Sequence, residues 1–160
     1  MPYWRLFYHI VFGTRDGEPL ISGAWEQDLH NMIAGKGQGL EAFVYAVGGT
    51  ENHVHVVVSV PPKVALATFI GRIKGSSSHF VNHSLTSAGL FAWQKEYGVL
   101  SLEGTALPDI VQYVKNQRRH HGDGTVMTAL ERMETEGRDL VAADDGREAG
   151  TSSRCHLGGE

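Results

Sequence analysis

Two histidines separated by one residue, His53 and His55, lie in the run Glu51-Asn52-His53-Val54-His55-Val56-Val57-Val58-Ser59. Valines fill the positions around them, as in a strand, where successive side chains face opposite ways. Both imidazoles then point to one side and can reach a single divalent cation, leaving Val54 and Val56 for the core. The pattern is short, and two surface histidines on a half-exposed strand satisfy it equally well. A second pair, Tyr113 and Gln117, lies four residues apart in a segment of helical spacing and so shares one helix face. Glutamine offers a neutral oxygen that can complete a metal site begun by two imidazoles. Tyrosine in that position can also simply pack beside Ile110 and Val114. Arg118, Arg119, His120 and His121 follow at once, in a stretch without carboxylates from Ile110 to Gly122 that suits phosphate groups.

The elements that must hold these residues follow from the pattern on either side. Tyr3 to Thr14 is aromatic and β-branched and reads as a strand. Ser22 is a candidate N-cap for a helix over 24–33, stopped by Gly35, Gly37 and Gly39. The runs 41–47 and 52–60 read as a hairpin with a short glycine loop, closed by Pro61-Pro62. A helix is predicted over 64–80, with Ala65, Phe69, Ile73 and Phe80 near helical spacing. A short strand is predicted over 97–102. Pro108 and Asp109 open a helix that runs to about His121. The order β-α-β-β-α-β-α predicts an α+β fold: a ferredoxin-like split βαβ sandwich with a mostly antiparallel four- to five-stranded sheet and helices on one face. The expected division is a domain over 1–122, a short C-terminal helix within 123–141 and a polar, disordered tail over 142–160.

The 160 residues are 41% hydrophobic and 20% charged, enough apolar material for one core and too much for a wholly disordered chain. No stretch approaches the roughly 18 apolar residues that cross a bilayer, and the opening residues lack a signal-peptide pattern. The single cysteine, Cys155, excludes an internal disulfide. The expectation is a soluble, cytoplasmic protein with no membrane partner. The net charge of −4 sits mostly after Gly122, where nine carboxylates face four arginines; before it, ten basic residues face nine acidic ones. Neither 64–94 nor 110–122 contains an Asp or Glu, so two basic faces remain open to nucleic acid.

Taken together, these segments resemble the single-tyrosine HUH transposase family. Gly49-Thr50-Glu51-Asn52-His53-Val54-His55-Val56-Val57-Val58 is similar to its His-hydrophobic-His strand. Val111-Gln112-Tyr113-Val114-Lys115-Asn116-Gln117-Arg118-Arg119-His120-His121 is similar to its tyrosine helix. The runs 8–15, 69–77 and 91–98 resemble its first strand, basic connecting helix and aromatic last strand, so the likeness extends over about 3–121 in the same order. The resemblance implies a transposase acting on single-stranded DNA at hairpin-flanked element ends. It makes Tyr113 the nucleophile that forms a 5′-phosphotyrosine, and His53, His55 and Gln117 the ligands of Mg²⁺ or Mn²⁺. It also implies a homodimer in which Tyr113 and Gln117 can serve the partner's histidines. Arg72, Lys74 and Ser76, with Arg118 and Arg119, are the expected DNA contacts. His9 is expected to be a packed, hydrogen-bonded core histidine, and His79 and His83 surface histidines.

Three other functions are compatible with parts of this pattern. A domesticated, hairpin-specific nuclease of the same family would use the same residues. A module that binds single-stranded nucleic acid without chemistry would need neither the His pair nor the Tyr-Gln pair. A hydrolase activating water at His53 and His55 would need a carboxylate base and further ligands nearby, which the sequence is not expected to supply.

Overall fold

The computed structural model describes residues 2–134. The element order is β1 (Phe7–Gly13), α1 (Glu26–Gly39), β2 (Phe43–Gly49), β3 (His53–Ser59), α2 (Leu66–Phe80), β4 (Gly98–Leu102), α3 (Leu107–Lys115), α4 (Gln117–Asp123) and α5 (Thr128–Glu131). The strands pair antiparallel in one sheet of order β2-β3-β1-β4. This is the expected split βαβ arrangement: β1 and β2 are joined through α1 and separated in the sheet by β3. Among the described residues no helix is long and apolar enough to cross a membrane.

Strand alternation builds two apolar layers. Ile10 and Phe12 of β1, with Val54, Val56 and Val58 of β3, meet Leu29 and Ile33 of α1 and Phe69, Ile70 and Ile73 of α2. On the other face Ala46 and Val57 meet Tyr113 and Val114 of α3. Helices α1 and α2 share a face as expected, but α3 packs on the opposite one, which corrects the one-face expectation. The reason lies in the side chains: Ile110, Val111 and Val114 form an apolar stripe, and Ala46 and Val57 offer it a second apolar surface. Strand β3 is consequently buried along its whole length.

Packing also moves several element boundaries. Helix α1 continues through Gly35 and Gly37 to Gly39, past the expected stop at Ile33. A Cβ on Gly37 would lie 2.7 Å from Val44 Cγ2, so this glycine lets the helix approach β2 closely. Tertiary contact there outweighs glycine's poor helix propensity. Ser22 is not the N-cap, since α1 begins only after Trp25. Helix α2 runs on into a π turn at Val81–Leu85. The helix expected from Pro108 to His121 is broken at Asn116, which leaves helical geometry at φ −107° and ψ 26°. Asn116 stabilises the break by donating from Nδ2 to the Gln112 carbonyl at 2.9 Å. After α4, which ends at Asp123, the four residues of α5 are the only helical ones among the described residues. The tail expected over 142–160 lies outside the described residues.

One glycine fixes how close α3 comes to the sheet. A Cβ on Gly48 would sit 1.9 Å from the Val114 carbonyl oxygen, so any larger residue in β2 must push α3 away. Gly71, on exposed α2, has nothing within 4 Å of its Cβ position. Gly48→Ala is therefore expected to destabilise the fold by about 1–3 kcal/mol. Gly71→Ala should stabilise it by about 0.4–1 kcal/mol. Urea denaturation of the two variants measures both, and equal effects would contradict the close approach at Gly48.

Candidate active site

The register of β3 against β1 places His55 opposite Val11 and His53 opposite Gly13. Both imidazoles thus stand on the α3 side of the sheet, His55 fully buried and His53 5% exposed. His55 Nδ1 lies 2.7 Å from His9 Nε2. His9 is buried as expected; burial first, and the neighbouring His55 second, push its pKa down to about 3. His53 Nδ1 lies 2.8 Å from Asn52 Oδ1. An amide oxygen only accepts, so His53 Nδ1 carries the proton and donates it. Asn52 is held in that orientation by its Nδ2, which donates to the Gly17 carbonyl at 3.4 Å. Burial foremost, and then His55, lowers the pKa of His53 from its ordinary value.

The α3–α4 break brings the second pair to the same place. Gln117, only 1% exposed, presents Oε1 to His53 Nε2 at 3.2 Å. Its Nε2 donates to the Tyr113 carbonyl at 3.4 Å, which fixes the amide orientation across the break. Tyr113 is 2% exposed; its ring stacks on His120 with centroids 4.7 Å apart and stands edge-on to His55. Tyr113, Gln117, His53 and His55 therefore meet within a single chain.

Glu131, which no motif in the sequence marks, joins the cluster. Its Oε1 accepts a 2.6 Å hydrogen bond from the Tyr113 hydroxyl. Its Oε2 lies 3.2 Å from His55 Nε2 and 3.4 Å from His53 Nε2. His121 Nε2 stands 3.7 Å from Oε1 on the outer side. Burial opposes ionisation of Glu131, but His55, the Tyr113 hydroxyl and His53 outweigh it and hold the pKa down to about 2. A carboxylate therefore does stand beside the histidines, contrary to the expectation drawn from the motif alone. The one available signal was Leu130, an apolar residue that buries against α3 and carries its neighbour into the site.

The donor set fits a divalent cation. One nitrogen each from His53 and His55 and one oxygen from Glu131 all lie within 4.8 Å of one another. His55 Nε2 is buried without a hydrogen-bond partner, its approach to Glu131 being short but poorly aligned. With the His53 proton on Nδ1, Nε2 and Gln117 Oε1 face each other as two lone pairs, an arrangement that a cation between them would stabilise. A cavity of about 480 Å³ opens beside the cluster, bounded in part by Asn52, His53, Arg118, His121 and Glu131.

The expected DNA contacts are divided by the sheet. Arg118 lines the cavity and its guanidinium pairs with Glu26 of α1 at 2.6 Å. Arg119 lies 3.5 Å from Asp123 on the exposed side of α4. Arg72, Lys74 and Ser76 sit on α2, in the layer across the sheet from the cluster, so the structure does not bring them to it. Lys74 Nζ donates to the carbonyls of Gln94, Lys95 and Glu96 at 2.7–3.4 Å, tying α2 to the segment before β4. His79 and His83 are exposed, with stacked rings 3.9 Å apart.

The sequence profile described as "Transposase IS200 like" matches residues 2–117, and the chain belongs to that family. The transposase for insertion sequence element IS200 of Salmonella typhimurium is 24% identical over 75 residues, covering 47% of this chain and 49% of that protein. The chain thus matches about half the length of that relative. The ISDra2 transposase TnpA of Deinococcus radiodurans is 23% identical over 121 residues, covering 71% of this chain and 85% of that protein. A solved REP-associated tyrosine transposase bound to a REP hairpin superposes with a TM-score of 0.55 at 14% identity, covering 98% of this chain and all of the other. That likeness establishes a shared fold.

Burial first, and then the hydrogen bond to Glu131, raises the Tyr113 pKa above its ordinary value. Glu131→Ala is expected to lower it. Alkaline titration followed by phenolate absorbance, with Tyr113→Phe subtracted to isolate this tyrosine, measures the shift; an unchanged or higher pKa would contradict the assigned contact.

Proposed function

We propose that this chain is a transposase that cleaves and rejoins single-stranded DNA at hairpin-flanked ends, with Tyr113 as the nucleophile. One observation carries the reading: the Tyr113 hydroxyl hydrogen-bonds the same Glu131 carboxylate that lies within 3.4 Å of both histidine nitrogens. A module that only binds nucleic acid gains nothing from that convergence. A water-activating hydrolase would use the histidines and carboxylate but would leave the buried tyrosine hydroxyl without a role.

In the proposed reaction the Tyr113 oxygen attacks a phosphodiester and the bond to the 3′ oxygen breaks. The products are a 5′-phosphotyrosine and a free 3′-hydroxyl; the phenolic proton is lost to the surrounding bases and the leaving oxygen gains one. Attack by a 3′-hydroxyl on the adduct reverses the exchange and releases Tyr113. One phosphorus–oxygen bond forms for each one broken, so no nucleotide hydrolysis is required. His53, His55 and Glu131, with Gln117 Oε1, would hold Mg²⁺ or Mn²⁺, whose charge favours the build-up of negative charge on the nonbridging oxygens. The protein's own contribution is orientation. Asn52 sets the His53 proton, His9 holds the His55 ring through its Nδ1, Gln117 ties the tyrosine turn to His53, and Arg118 lines the cavity. Because one chain supplies every group, association as a homodimer would join two complete sites.

The test uses single-stranded hairpin oligonucleotides from the flanks of the gene, labelled at the 3′ end and incubated with protein and Mn²⁺ or Mg²⁺. A labelled band at protein mass on a denaturing gel is expected from wild type and should vanish in Tyr113→Phe and with chelator. Intact hairpin binding by a folded wild type without any adduct would point instead to a binding module.

A further inference from the structure

A second cavity lies across Arg118 from the first. It has a volume of about 550 Å³ and is bounded by Glu26 and His30 of α1, the Gly48-Gly49 end of β2, and Lys115, Arg118 and Arg119. Arg118 lines both cavities. Three cations face a single carboxylate here, and that carboxylate is already engaged. Glu26 Oε2 accepts from Arg118 Nε at 3.1 Å and Nη2 at 2.6 Å. Arg118 Nη1, with its two N–H groups, has no partner among the described residues, and neither has the Lys115 ammonium. Arg119 meets Asp123 only at the exposed surface, where an ion pair is weak and easily exchanged.

We propose that the cleft between α1 and the α3–α4 junction is the track for the DNA strand on one side of the scissile phosphate, with its backbone phosphates against Lys115, Arg118 and Arg119. The inference rests on the tyrosine-transfer reading above and adds where the strand runs. The arrangement suits a polyanion. The helical segment 110–122 contributes cations and no carboxylate. The guanidinium is held from one edge by Glu26, so its free edge has a fixed direction and little conformational entropy to lose on binding. Glu26 is itself confined, with Oε1 4.0 Å from Nε2 of buried His30. Glu26 is thus a positioning residue that acts through Arg118. The cavity is large enough for a nucleotide-sized group. Contacts of this kind read the backbone and carry no base specificity.

The test separates this track from the chemistry. Binding of fluorescein-labelled oligothymidylate is followed by anisotropy in chelator, over a range of salt concentrations, for wild type, Lys115→Gln and Lys115→Gln/Arg118→Gln. Each lost phosphate contact should reduce the slope of log K against log salt by about 0.7 and weaken binding roughly three- to tenfold. Glu26→Gln should weaken binding while leaving the wild-type slope, since the cation remains but is less well held. Lys115 is exposed, so its variant tests the proposal with little risk to the fold. Affinity and slope unchanged in both Lys115 variants would overturn the track. If that result comes with normal adduct formation by wild type, only the track fails. If the slopes change as expected but wild type forms no Tyr113 adduct, the track stands and the transfer chemistry fails.

Discussion

Two imidazoles buried on a strand that is covered on both faces constrain much of what surrounds them. His53 and His55 cannot rely on water, so each ring nitrogen must meet a protein group or a ligand. The Nδ1 positions are met by Asn52 and His9. The Nε2 positions are then left facing Gln117 Oε1 and Glu131 Oε2, which are acceptors. At His53, whose proton sits on Nδ1, two lone pairs then face each other, a poor arrangement for a structural core and a good one for a cation. The same arrangement places a carboxylate within reach of the tyrosine hydroxyl.

Backbone geometry makes the meeting possible. The β1–β3 register brings His9 beside His55, and the absence of a side chain at Gly48 lets the Val114 carbonyl rest on β2. The interruption at Asn116 turns the chain so that Gln117 reaches His53 while still bonding back to the Tyr113 carbonyl. Glu131 arrives from a four-residue helix anchored by Leu130. Each contribution comes from a different element, and the sheet is the frame common to all of them. The burial that holds this cluster together also keeps Tyr113 a phenol: its hydroxyl donates to Glu131 and accepts the Met127 N–H at 3.0 Å.

The sheet was legible because period-two alternation is a strong signal when one face must be buried, as Tyr8-His9-Ile10-Val11-Phe12 and the His53 strand show. The His53/His55 and Tyr113/Gln117 pairs were legible because short-range spacing alone puts each pair on one face. Long-range facts were not. The extension of α1 through its glycines depends on the fit of Gly37 against Val44, and the placement of α3 depends on which sheet face is left uncovered. Glu131 was obscure for the same reason: apart from its apolar neighbour Leu130, nothing local distinguishes it from the other carboxylates after Gly122. Lys74 has the composition of a phosphate ligand, yet three backbone carbonyls brought near it by the fold engage its ammonium.

The central claim is that His53, His55, Gln117 and Glu131 converge on one cation site beside Tyr113. Anomalous diffraction from crystals of the protein soaked in Mn²⁺ tests it directly. The account predicts a single strong peak bonded to Nε2 of both His53 and His55, with an oxygen of Glu131 or Gln117 in its coordination shell. No peak there, or Mn²⁺ bound instead at the exposed His79–His83 pair, would contradict it.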